Sequence, residues 1–268
     1  MTFRDRVVWL TGASSGIGEA LTPLLASRGA RVAISARRGD RLEMIAAAAR
    51  AHGGDVRAFP LDVTDRQATR ETVAAIERTF GPVDVAILNA GSHLRPAARP
   101  FDAQQYLDTF ALNVFGAIHG IEAVLPGMLA RRRGWIVGIS SLAGYRAVPT
   151  AGAYGSSKAA LSHILDALRF DLEEYGVRVI NVTPGFIKTP LTDRNRFRMP
   201  FLMPVDAAAR RIVEGIERER REIHFPKPFS WTLKLLRVLP YPLYDLIIRR
   251  ATADRQRLQK LEHPRPGV

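Results

Sequence analysis

Short apolar, β-branched runs alternate along this chain with longer stretches of helical spacing, and that rhythm leaves few architectures open. VVWLTG (7 to 12), RVAISA (31 to 36), VRAFPL (56 to 61), VDVAILNA (83 to 90), GWIVGIS (134 to 140), VRVINVTP (177 to 184) and EIHF (222 to 225) read as strands. The middle ones are apolar enough to be covered on both faces. Helical patterns fill residues 17 to 28, 40 to 52, 65 to 80, 104 to 131, 154 to 175 and 205 to 220. The alternation predicts a doubly wound α/β fold, a mostly parallel seven-stranded sheet with helices on both faces, in a single domain over 1 to 226. Such a sheet takes its ligand at the carboxyl ends of its strands, near the point where strand order reverses.

Composition removes several alternatives. The 268 residues contain no cysteine, which excludes disulfides, thiolate catalysis and cysteine-ligated zinc. The first apolar run, VVWL, stops at a glycine-rich turn before it could serve as a secretion signal, so a cytoplasmic protein is expected. No window approaches the roughly 20 uninterrupted apolar residues of a spanning helix. The formal net charge is +13, and from Thr189 onward 17 Lys and Arg stand against 9 Asp and Glu. That excess suits acidic lipid or anionic ligands; no reading motif for nucleic acid accompanies it, so nucleic acid is the least expected partner.

The first strand runs into TGASSGIG (11 to 18), which opens directly into a helix. Gly12 permits the tight turn, Gly16 lets the backbone approach a pyrophosphate, and Gly18 allows the helix to pack closely on the sheet; Ser14, Ser15 and Ile17 complete the turn. At the end of the second strand, where an acid would accept from the adenosine ribose of NAD, stands Ala36, followed by Arg37 and Arg38. Guanidinium suits bidentate contact with phosphate, so NADP (NADPH) is the expected cofactor, NAD the lesser alternative, and Arg37 the leading contact. Asp62 and Val63 of LDV fall where the adenine would lie, and Asn89, Ala90 and Gly91 of NAG where backbone can pass near a cofactor.

In AYGSSKAAL (153 to 161), Tyr154 and Lys158 lie four residues apart on one face of a predicted helix. A nearby ammonium favours the phenolate and brings a tyrosine towards a value useful for proton transfer. His93 and His119 have no metal-ligand spacing around them, and no metal is expected.

In order along the chain, TGASSGIG, LDV, NAG, the asparagine of LNVFG, ISS before a loop, YGSSK and PGFIKTP resemble the motifs of the short-chain dehydrogenase/reductases in their common form, over residues 5 to about 226. The resemblance implies a Rossmann-type fold and a catalytic set of Asn113, Ser141, Tyr154 and Lys158, with Ser140 the neighbouring alternative to Ser141. By that resemblance Tyr154 exchanges the proton with the carbonyl or hydroxyl oxygen and Ser141 holds that oxygen. Lys158 binds the nicotinamide ribose and depresses the tyrosine, and Asn113 positions a relaying water. Pro184, Gly185, Ile187 and Thr189 contact the nicotinamide end. Many members carry asparagine where this chain has Gly138. Oligomerisation as a homodimer or homotetramer is implied on the same grounds.

Between about Thr189 and residue 205, Phe197, Met199, Phe201, Leu202 and Met203 suggest an apolar substrate lid, and hence a hydrophobic ketone or secondary alcohol. Residues 227 to 268 form a basic, amphipathic extension. In its 229 to 239 segment Ser230, Lys234 and Arg237 share one side, with Trp231, Leu235, Val238 and Leu239 on another. The apolar side either packs on the protein or a partner subunit, or makes a peripheral membrane contact through 229 to 250. The alternative to an enzyme is a non-catalytic NADP(H)-sensing protein docking through this basic tail. The complete catalytic set argues for the enzyme.

Overall fold

The computed structural model describes residues 1–93, 101–193 and 199–250. Seven strands form one sheet: β1 (Val7–Thr11), β2 (Arg31–Ser35), β3 (Asp55–Ala58), β4 (Val85–Leu88), β5 (Gly134–Ile139), β6 (Val177–Pro184) and β9 (Glu222–Phe225). Their order is β3-β2-β1-β4-β5-β6-β9 and every neighbouring pair is parallel. All seven fall where the apolar runs place them, shifted only at their ends. A separate parallel pair, β7 (Ile187–Lys188) with β8 (Met203–Pro204), ties together the two ends of the segment expected to be a lid.

The strands alternate their side chains between two cores, as a pleat requires. Val8 and Leu10 of β1 face α1 (Gly16–Ser27), α2 (Gly39–Ala51) and α7 (Val205–Glu217), in a core that includes Leu21, Leu25, Leu42, Ile212 and Ile216. Val7 and Trp9 face the opposite way, towards α3 (Arg66–Phe80), α5 (Gly116–Ala130) and α6 (Gly152–Leu172), joining Ile76, Val124, Leu161 and Leu165. Chain order reverses between β1 and β4, and the cleft described below opens at the carboxyl ends of those two strands.

The helix expected over 104 to 131 is not continuous. It is α4 (Ala103–Phe110), a π turn at Ala111–Phe115, and α5. The wider turn brings the Asn113 side chain inward, where its amide exchanges two hydrogen bonds with the Ser92 backbone and donates a third to Ser157 Oγ; π turns recur at functional sites. By length and composition alone the run 103–130 could cross a membrane, yet it packs against α3 and α6.

Gly138 has a local explanation. A Cβ there would come within 2.3 Å of Leu165 Cδ1, so the leucine on α6 fills the space that a side chain on β5 would need. Gly138→Asn should therefore destabilise the protein by about 1–3 kcal/mol, as forced overpacking does, and thermal denaturation would read this as a lowered midpoint. An unchanged midpoint would mean that Leu165 moves aside freely.

Of the alternatives open for the apolar stripe, the C-terminal helices do not take the one in which it packs on its own chain. In α8 (Lys227–Arg237) it is the polar side that faces the protein: Ser230 is fully buried with its hydroxyl on His224 Nδ1 at 2.7 Å, and Lys234 pairs with Glu222 of β9. Burial pushes the Glu222 carboxyl up, but hydrogen bonds from Lys234 and Tyr145 outweigh it and leave the group below its ordinary value. Trp231, Leu235 and Val238 point outward instead. The charged pair decides this orientation, because turning the stripe inward would bury Glu222 without its partner. A further helix, α9, runs over 241–250. The Arg146 guanidinium donates to the carbonyls of Leu236 and Leu239, both at 2.7 Å, and lies 3.8 Å from the Tyr244 ring centroid, tying both helices to the loop after β5.

Candidate active site

At the carboxyl ends of β1, β4, β5 and β6 lies a cleft of about 520 Å³. Its walls include Gly12, Ser14, Ser15, Gly16, Ile17, Arg37, Arg38, Asp62, Val63, Asn89, Ala90, Gly91, Ser141, Tyr154, Lys158, Pro184, Gly185, Ile187 and Thr189. Two expected site residues stand just behind it. Gly18 is the packing glycine, since a Cβ there would meet Gly12 O at 2.4 Å, and Asn113 is fully buried beneath Gly91.

The glycine turn is held from below. Asn89, at the end of β4, donates its side-chain amide to Thr11 O and Gly12 O at 3.0 and 3.1 Å, so β4 fixes the turn that follows β1. Gly12 and Gly16 have φ of 66° and 59°, a region open to glycine at little cost. Across the cleft Thr189 faces Gly16, where an added Cβ would lie 3.2 Å from the Thr189 methyl. Gly91 meets Asn113 Oδ1 and Lys158 Nζ, at 3.1 and 3.3 Å from where its Cβ would be. Its smallness thus makes room for Asn113 and Lys158.

The two arginines behave differently. Arg38 lies against the turn and donates through Nη2 to Ser14 O at 2.8 Å and to Ser14 Oγ at 3.0 Å. Arg37 reaches outward, with its side chain 73% exposed and Nη1 4.0 Å from Asp62 Oδ2. An exposed pair at that separation holds little energy, so Arg37 can turn to a phosphate at small cost. Asp62 in turn accepts from Thr64 N at 3.0 Å and Thr64 Oγ1 at 2.8 Å.

Ser140 and Ser141 part company at the end of β5. The Ser140 hydroxyl is spent on α6, donating to Lys158 O at 2.7 Å and accepting from Ser162 at 2.8 Å. Ser141 turns to the cleft that Tyr154 also lines, its Oγ accepting from Ala143 N at 3.2 Å and lying 3.5 Å from Pro184 O. Lys158 is buried, and its Nζ donates to Ile139 O at 2.8 Å and lies 5.9 Å from the Tyr154 ring centroid. Burial pushes Lys158 down to about 8. The same burial pushes Tyr154 up, with the Ser141 hydroxyl opposing it. Desolvation is the larger influence on the phenol, and the Lys158 ammonium is turned to the Ile139 carbonyl.

His93, set aside in the sequence for want of metal-ligand spacing, has its ring centroid 4.3 Å from that of Tyr154 and covers the phenol. Only its position just after NAG could have pointed to it. His119 is bonded through Nδ1 to Val63 O at 3.0 Å, a structural contact. Among the described residues no cluster of His, Asp and Glu is arranged to hold a metal. Of the expected lid, Phe197 lies outside the described residues. Met203 is a correction: it is buried in the core beside Ile187, its strand partner in β7. Phe201 and Leu202 are exposed, and the Phe201 ring lies 6.0 Å from that of Phe229, itself 5.8 Å from Phe186.

Comparison with known proteins agrees with this geometry. The family model described as short chain dehydrogenase matches residues 6–199. An uncharacterized oxidoreductase of Myxococcus xanthus is 40% identical over 250 residues, 93% of this chain and 98% of that protein. Among solved structures, an actinorhodin polyketide ketoreductase variant with NADPH superposes with a TM-score of 0.75 at 27% identity, covering 84% of this chain and 96% of its own. An alcohol dehydrogenase from the archaeon Thermococcus sibiricus, complexed with 5-hydroxy-NADP, gives 0.74 at 25% identity, covering 82% of this chain and 95% of its own.

Proposed function

The chain belongs to the short-chain dehydrogenase family and is an oxidoreductase, and from that premise we propose that it uses NADP(H) to interconvert a hydrophobic ketone and its secondary alcohol. The observation that carries the reading is the convergence, in one cleft, of Ser141, Tyr154 and buried Lys158 beside a glycine turn flanked by Arg37 and Arg38.

The residues fit such a cofactor. The turn at Gly12 and Gly16 leaves backbone where side chains would block a pyrophosphate, at the N-terminus of α1. Gly12, Gly16, Ser14 and Ser15 would hold the phosphates and Arg37 the 2′-phosphate, while Ala36 offers no carboxylate to repel it. Lys158 would hold the nicotinamide ribose, and Ile187 and Thr189 would contact the nicotinamide end. When bound, NADP(H) supplies or takes up the hydride, and the protein supplies position and protons.

In the direction of reduction, Ser141 Oγ and the Tyr154 hydroxyl would hold the carbonyl oxygen, and Tyr154 would give it a proton as negative charge develops. Burial keeps that proton on the phenol through neutral pH. The Lys158 ammonium would stabilise the phenolate left behind, and Asn113 would help return a proton from solvent. The reduction rate should therefore stay flat through neutral pH and fall as Lys158 loses its charge above about 8. Alcohol oxidation, which needs the phenolate, should rise with pH instead. Steady-state rates in both directions would check this, and parallel profiles would contradict it.

The aromatic group of Phe186, Phe201 and Phe229 supports a lipophilic substrate. With NADPH and ketones of graded chain length, kcat/KM should climb with the apolar portion, by up to about 0.8 kcal/mol for each buried methylene. A preference for small polar sugars would sink the substrate assignment while leaving the reaction class intact.

A further inference from the structure

The outward stripe of α8 begins beside a second cleft, which shares no lining residue with the first. This cleft, about 300 Å³, lies between α7, β9 and the first turn of α8, and is lined by Arg211, Arg218, Arg220 and Lys227 around the buried His224, with Glu214 the lone carboxylate. Among the described residues none of those four cations has a salt bridge. His224 is committed on both nitrogens, to Ser230 Oγ at 2.7 Å and Lys227 Nζ at 3.0 Å. Burial and the Lys234 charge keep its imidazole below the ordinary value, hence neutral, so it can accept from Lys227. The positive end of the α8 dipole opens on the same cleft through Lys227 and Pro228.

Lys227 also begins the stripe. Positions 227, 231, 235 and 238 share one helical face, and Trp231, Leu235 and Val238 on it are 60%, 66% and 75% exposed. Tyr241, Leu243 and Leu246 are likewise exposed at α9, whose last described residues are Arg249 and Arg250. A second copy of a chain carrying +13 would bring like charges together at this face. An anionic surface with an apolar interior meets both halves of it.

We propose that α8 and α9 dock on an anionic phospholipid membrane, a headgroup phosphate entering the cleft of Arg211, Arg218, Arg220 and Lys227 while Trp231, Leu235 and Val238 enter the acyl boundary. The inference rests on this face alone and does not require the catalytic reading.

Sedimentation of the full chain with phosphatidylglycerol/phosphatidylcholine vesicles, against phosphatidylcholine alone and against inorganic phosphate, tests it. Binding to the anionic vesicles only is expected, weakening as salt is raised, with a blue shift of emission from Trp231, the one exposed tryptophan. Arg220→Glu with Lys227→Glu, or Trp231→Ser with Leu235→Ser, should each weaken binding by about tenfold or more. These positions lie outside the catalytic cleft, so turnover on a soluble ketone should not change. No vesicle binding, equal binding to neutral vesicles, saturation by phosphate without vesicle binding, or a smaller particle mass for the Trp231/Leu235 variant would each overturn the proposal. The salt dependence of the unaltered protein decides the matter even if a variant fails to fold.

Discussion

Tyr154→Phe will lower kcat by about a thousandfold while leaving the Kd for NADPH within about twofold, because the substitution removes a proton and little else. The ring and its contact with His93 remain, so the packing around the site is preserved. Lys158 keeps its bond to Ile139 O, and the cofactor wall from Gly12 to Arg38 is untouched. Ser141→Ala should cost less, since one donor to the developing oxyanion is lost and the acid survives. Ser140→Ala should leave catalysis nearly unaltered and act on stability, because its hydroxyl bonds only within the β5–α6 contact. Retention of full turnover in Tyr154→Phe would remove the phenol from the chemistry, and equal kinetic losses for the two serines would remove the distinction between them.

Arg37→Asp will move the ratio of kcat/KM for NADPH over NADH by about a hundredfold towards NADH. A charge-assisted bond to the 2′-phosphate is worth about 1.5–3 kcal/mol, and the new carboxylate repels that phosphate while accepting from a ribose hydroxyl. Arg37 is the better place for this than Arg38, which already holds Ser14 and so supports the shape of the glycine turn. Arg38→Asp should weaken both cofactors together. If the ratio stays put in Arg37→Asp, the 2′-phosphate is read elsewhere or not at all.

The sheet was legible in the sequence because each buried parallel strand needs a continuous apolar run, and VVWL, VAIL and WIV have no polar position at which to end early. The cleft was legible for a related reason: glycine turns and the Tyr154–Lys158 spacing are local, and local geometry survives in the order of residues. The π turn was not, because nothing in ALNVF departs from a helical pattern; Asn113 is drawn inward by Ser92 and Ser157, which are close only in the fold. The orientation of α8 was hidden likewise. Helical spacing separates a polar from an apolar face but does not say which is buried, and that choice was made by Glu222 and His224 on the neighbouring strand.

Transfer of label tests the catalytic account most directly. The protein is incubated with NADPH deuterated at the reactive nicotinamide carbon and with a mixture of ketones graded in chain length, and the alcohols formed are analysed by mass spectrometry. Deuterium should appear on the carbinol carbon of the longer members, and labelled alcohol should form about a thousandfold more slowly with Tyr154→Phe. Unlabelled alcohols, no alcohol from any member, or equal labelling by the Tyr154→Phe protein would contradict it.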